Sequence, residues 1–487
     1  MIKLQRISFV FVLISTVILA SCSGDQKGAI DLTETTSKFI SGNGNIVLFG
    51  KADLKGMLNK TNYKTKDEKI DTLISSELVS LERVLNLKQS VYYAVEGPMA
   101  QDGTPKATYL FLEATSDTAL INELDRRGYL VEETKDFSYT ENGDFAMGIK
   151  DQLVFAVVKG GQSEAKKDLT KMRKELKGDA AGGKVEEILG QQADMVIGTS
   201  LEKLYETSST DLEKLDKKKK DELKEMVAGS FIQTTFKFEN GIAEIEAKNM
   251  FSESLMAIMP FKSDASGKLL ARVNKGSGTP MAGFAMDMDV SKMEKFVNNY
   301  SPETIDMIFR SFGMAGNMFG GLPVASMVTT GQAIGIFTAD MENNAMHANA
   351  FVGMSKLGSD ISKDQLEKSG MTEYFQLEQT ADGLNGSFTF GMGENDKSKT
   401  IVLPEECKDF GKKGISAFLY LDNVNMDDFG MFGSFEMLED VKYVLFNADN
   451  QGAKLVIKSK KEDVNILENS MDIVLEMFQD KVTLLNM

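Results

Sequence analysis

Phe231-Ile232-Gln233-Thr234-Thr235-Phe236-Lys237-Phe238-Glu239-Asn240-Gly241-Ile242-Ala243-Glu244-Ile245-Glu246-Ala247 is the stretch on which a reading of the fold turns. Ile232, Phe236 and Phe238 alternate with Gln233, Thr235 and Lys237, and Ala243, Ile245 and Ala247 alternate with Glu244 and Glu246. A period of two places successive side chains on opposite faces of a strand. The Asn-Gly pair is the strongest short hairpin signal and predicts a type I′ turn at Asn240-Gly241. Working outward, the same pattern pairs Val91–Val95 with Ala107–Leu112, Asp144–Ile149 with Leu153–Val158, Ala333–Thr338 with Met346–Val352, and Tyr443–Phe446 with Lys454–Ile457.

Between the hairpins run segments of helical period. Thr65-Lys66-Asp67-Glu68 is a capping box ahead of Ile70, Leu73, Ile74, Leu78 and Leu81. A short apolar strand running into a capped amphipathic stretch recurs at Ile46–Leu58, Met195–Leu204, Phe284–Phe296 and Ser416–Phe429. The expected fold class is therefore α+β: repeated strand-helix-hairpin units forming mainly antiparallel or mixed sheets covered by helices. The expected divisions are a signal peptide over 1–21, a polar tether over 22–44, a first unit over 45–180, a second over 184–262, and a C-terminal region over 279–487 holding two further units.

Residues 1–21 have the form of a secretory signal: Lys3 and Arg6 precede the apolar run Phe9–Ile14 and Val17–Leu19. Leu19-Ala20-Ser21-Cys22 then matches the bacterial lipoprotein processing box, which makes Cys22 the expected site of lipid attachment, palmitate included, and the first mature residue. Several acyl chains on one residue anchor firmly, because each buried CH₂ adds about 0.8 kcal/mol. Ser23, standing where an Asp favours inner-membrane retention in enteric bacteria, points to the outer membrane, with the body on its periplasmic or its outer side. The lipobox, the polar stretch and the strand leading into Ala52-Asp53-Leu54 resemble the large lipoproteins of the Bacteroidota that carry a domain of unknown function. That resemblance implies a cell-envelope location and brings no active-site residue beyond Cys22.

Composition excludes more chemistry than any motif admits. The 487 residues hold one His, two Cys and no Trp, with 55 basic against 72 acidic residues and a net charge of −17. Loss of Lys3 and Arg6 makes the mature balance 53 − 72 = −19. An acidic chain with no basic cluster is a poor nucleic-acid binder; the run Lys217–Lys220 lies between Asp216 and Asp221. A zinc or iron site draws several ligands from His and Cys, so no metal and no cofactor is expected. With Cys22 lipidated, Cys407 has no partner for an internal disulfide and reads as an inert thiol.

What remains for catalysis is weak: Ser200 with Lys203 and Ser163 with Lys166 match Ser-x-x-Lys, Lys368-Ser369-Gly370 loosely echoes Lys-Thr-Gly, and Asp287 and Asp289 share one side of a strand. Asn423, Asn425 and Asp427 alternate as in a calcium loop but lack its glycine and distal Glu. Ser311–Ala339 is a run of 29 residues without a charge, in a chain that is 26% charged. Its second half reads as a buried strand. Its first half, with Phe312, Met314, Met318 and Phe319, is the candidate partner-binding surface, since methionine-rich apolar loops adapt to partners. The reading that results is a lipid-anchored envelope protein acting as a non-catalytic binding or structural component. Its partners are the membrane through the N-terminal lipid and an envelope protein. An envelope hydrolase using paired carboxylates or a Ser-Lys dyad is the alternative.

Overall fold

The computed structural model describes residues 30–468 except 62–67, 100–103, 160–163, 180–181, 208–215, 263–266, 293–329, most of 356–374, 423–439, and single positions at 342, 344 and 392. These residues form two compact units. One takes the described residues within 30–214, 227–251 and 461–468, and the other those within 216–226 and 252–460.

The first unit is built on ten strands: β1 (Ile46–Ala52), β2 (Val91–Met99), β3 (Pro105–Glu113), β4 (Glu132–Glu133), β5 (Ser138–Asn142), β6 (Phe145–Lys150), β7 (Leu153–Lys159), β8 (Met195–Ser200), β9 (Phe231–Glu239) and β10 (Ile242–Met250). Their pairings give the order β10-β9-β8-β1-β2-β3-β7-β6-β5-β4, antiparallel throughout. One apolar cluster gathers Phe49, Tyr109, Phe111, Phe155 and Val157 with Leu32 and Phe39 of the helix Leu32–Gly42 and Leu169 and Met172 of the helix Ala165–Glu175. A second gathers Val91, Leu110, Leu112, Met147 and Val154 with Leu54, Leu81 and Leu120.

The second unit has β11 (Thr279–Asp287), β12 (Gln332–Asp340), β13 (Ala345–Gly353), β14 (Phe375–Gln379), β15 (Gly383–Gly391), β16 (Ile415–Tyr420), β17 (Val441–Asp449) and β18 (Gly452–Ser459). They run in the order β14-β15-β13-β12-β11-β16-β17-β18, again all antiparallel. Its core, around Ile334, Ile336, Phe351 and Phe418, is closed by chain contributing Leu269, Val273, Ile401, Cys407 and Phe410.

The expected α+β architecture of repeated units in mixed sheets covered by helices is thereby overturned. Eighteen strands pair antiparallel and none parallel among the described residues, helices are few, and the second unit closes its core with loops and 3₁₀ turns at Leu270–Arg272 and Glu405–Cys407. The reason lies in the hairpins. Short turns join β2 to β3, β5 to β6, β6 to β7, β9 to β10, β12 to β13, β14 to β15 and β17 to β18, so most of the ladder grows without the crossovers that would place a helix after each strand. The four strand-to-helix starts are the first strands of four meanders. In each unit two of them meet as a central antiparallel pair, β1 with β8 and β11 with β16.

Two further boundaries move. The expected tether over 22–44 holds the helix Leu32–Gly42, capped by Asp31, whose side chain accepts from Glu34 N, and Phe39 is fully buried. The expected division between 45–180 and 184–262 does not separate two units, because β8 pairs with β1. The Asn240-Gly241 hairpin forms in the expected register, Glu239 opposite Ile242, but only Gly241 has a positive φ, of 64°. A type I′ turn needs two such residues. Gly241 N donates instead to Val464 O at 2.7 Å.

Candidate functional site

The second unit's sheet presents two different faces. In an antiparallel ladder, residues directly opposite each other lie on one face. Ala285, Ile334 and Phe351 are opposed across β11, β12 and β13 and fill the core. The other face follows from the alternate residues: Phe284 stands opposite Gly335 on β12 and Ala417 on β16, and Phe337 stands opposite Ala282 and Ala348. The rows continue through Gly386 and Phe388 on β15, Leu419 on β16, Val444 and Phe446 on β17, and Leu455 and Ile457 on β18.

Every residue of those rows from β15 to β18 is apolar or glycine. Phe284 is 45% exposed, Phe337 51%, and Phe390, on the same face of β15, 53%. Each of the two central rings rises between glycine or alanine neighbours, so the face is ridged by phenylalanine over troughs of small residues. Seven strands at a spacing of about 4.8 Å make it roughly 30 Å across. Backbone N–H and C=O groups there are used up in the ladder, leaving a surface that offers apolar area and no side-chain hydrogen bond. Phe284, Phe337, Ala350 and Phe390 are exposed on this face, while its residues on β16 to β18 are partly buried; exposed phenylalanines grouped on an apolar face mark a binding surface.

The surface the sequence singled out, Phe312, Met314, Met318 and Phe319, lies outside the described residues, as do Cys22, Ser163, Asn423, Asn425 and Asp427. The exposed phenylalanines are what the sequence reading missed. The signal was there: Ala333-Ile334-Gly335-Ile336-Phe337 is apolar at every position rather than at every second one, as a strand with two apolar faces must be.

Among the described residues, the candidates for catalysis are held by other partners. Ser200 Oγ accepts from Lys203 N at 3.3 Å, capping the helix Leu201–Thr207. Lys203 Nζ donates to Glu206 at 2.7 Å and lies 3.5 Å from Glu202; these carboxylates hold its pKa above the usual lysine range, the opposite of what a general base needs. Asp287 is buried and accepts from Gln332 Nε2 at 3.3 Å, whereas Asp289 is turned to its own loop, accepting from Ser291 Oγ at 2.7 Å and from Lys292 N. His347 is buried in β13 with Nδ1 3.0 Å from Thr389 Oγ1, and burial lowers its pKa. The Cys407 thiol is buried and pushed up to about 12. No group of three His, Cys, Asp or Glu that could hold a metal occurs among the described residues. No helix among them is long and apolar enough to cross a membrane.

No family model and no curated protein matches this chain. Among solved structures it is similar to crystal forms of TP0453. Form IV gives a TM-score of 0.26 at 11% identity, covering 42% of this chain and 76% of that one. Form III gives 0.24 at 11%, covering 75% and 96%, and form I gives 0.23 at 9%, covering 75% and 95%.

Proposed function

We propose that the protein is a lipid-anchored component of the cell envelope that works by binding rather than catalysis, held at the outer membrane through Cys22, and that the apolar face around Phe284 and Phe337 receives acyl chains. The observation that carries this reading is the uniformity of that face. A protein interface has about one hydrogen bond per 100–200 Å² and a polar rim, whereas a surface seven strands wide without a polar side chain suits a ligand that asks for none. The small residues beside each phenylalanine leave troughs into which a chain of methylenes fits, at about 0.8 kcal/mol per CH₂ buried. The reading as a hydrolase has less behind it, since Ser200 caps a helix, Lys203 pairs with Glu206 and Asp289 binds its own loop.

Calorimetric titration of the Cys22→Ser chain with palmitate tests this. Saturable binding is expected, weakened about tenfold or more by Phe284→Ser with Phe337→Ser, because each ring contributes on the order of 1.5–3 kcal/mol when covered. Absence of saturable binding, or equal affinity in the double variant, would contradict the proposal.

A further inference from the structure

The apolar face of the second unit is uneven in depth. One row of directly opposed residues crosses it from β11 to β14: Phe284, Gly335, Ala350, Gly386 and Leu377. The flanking rows, two residues away along each strand and so about 6.8 Å off, carry Phe337 and Phe388 on one side and Val352 and Leu384 on the other. The three middle positions are thus the floor of a trough with larger side chains on both banks. Leu377 closes one end, since a Cβ placed on Gly386 would stand 3.6 Å from its Cδ2. The floor itself is open. A Cβ placed on Gly335 would meet, among the described residues, nothing nearer than Asn349 O at 3.8 Å and Ala350 Cβ at 4.0 Å, and Ala350 is exposed. On the other side of Phe284 the same row passes Ala417 and rises to Phe446 and Leu455.

We infer, on the acyl-chain reading above, that this trough takes one unbranched acyl chain laid across β12, β13 and β15, and that Gly335 sets the specificity for it. Shape carries the assignment. A floor one residue row wide admits a single methylene chain between its banks. Branch methyls would ride up on the flanking side chains and lift the chain out of the contact, at about 3.5–4.0 Å, on which dispersion depends. The same geometry separates a fitted chain from mere apolar adsorption. Extra methyl groups, on the ligand or on the protein, add apolar area and strengthen adsorption, whereas here they obstruct the fit.

Calorimetric titration of the Cys22→Ser chain with palmitate and with its methyl-branched counterpart phytanate, repeated with Gly335→Val added, tests the site. Palmitate is expected to bind at least about tenfold more tightly than phytanate, and Gly335→Val to weaken palmitate about tenfold. Gly335 does not have a positive φ, its Cβ position is open, and valine suits a strand, so this variant should fold. Ala350→Val, also on the floor, is the second variant, with the same loss expected. Palmitate binding that either folded variant leaves unchanged or tightens, or phytanate bound as tightly as palmitate, would overturn the inference while the acyl-chain reading stands. Absence of saturable palmitate binding in the chain carrying Cys22→Ser alone would overturn both.

Discussion

Single residues show where chemistry has been traded for architecture. His347, the chain's one imidazole, is buried beside Thr389 with Nε2 4.0 Å from Asp340 Oδ2. Desolvation lowers its pKa despite the carboxylate. The unfolded chain then binds a proton at a higher pH than the folded one, so stability falls as pH drops through 6.5 and levels off below the folded pKa. With a single histidine the test is unambiguous: its proton NMR titration should give a midpoint below 6.5, and a midpoint above that value would show that Asp340 prevails. At the turn between β6 and β7, Asp151 and Gln152 have φ of 53° and 66°, unusual for residues with a Cβ. Both backbone N–H groups donate to the Asp117 carboxylate, at 2.9 and 2.7 Å, which offsets the strain. The sequence marks the hairpin there but hides this turn, because its anchor lies over thirty positions away.

At the scale of elements, legibility depended on whether local pattern or tertiary contact set the structure. The hairpins at β2/β3, β6/β7, β9/β10, β12/β13 and β17/β18 were readable because alternation and turn residues are local signals. The helix Leu32–Gly42 was not, since Thr33, Thr35, Thr36 and Ser37 are weak helix formers. What holds it is packing: the Phe39 ring lies 4.7 Å from that of Tyr109 and 5.1 Å from that of Phe111. Phe39→Ala should cost about 3–5 kcal/mol, read as a lowered midpoint of denaturant unfolding. A loss under 1 kcal/mol would mean that the helix is an appendage and the tether reading was sound. The same division explains the site. The apolar strands themselves were visible, but which residues share a face depends on register across seven strands, and the uncharged run drew attention to Phe312–Phe319 rather than to Phe337 within the same run.

For the molecule as a whole, the two units share a plan in which two meanders meet at a central pair, yet they treat their sheets differently. The first gathers apolar clusters that include side chains from helices such as Leu32–Gly42 and Ala165–Glu175, whereas the second leaves phenylalanines about half exposed on one face. A net charge of −17 opposes self-association of such a face through repulsion. The absence of tryptophan from the chain supplies the most direct measurement. In Phe284→Trp the new indole is the chain's sole tryptophan and sits at the centre of the proposed acyl-chain surface. Added to vesicles or fatty acid carrying bromine on the chain, this variant should show a blue-shifted emission maximum and saturable quenching, while Val402→Trp, at a position 77% exposed, should show neither. Identical spectra for Phe284→Trp with and without lipid would contradict the account.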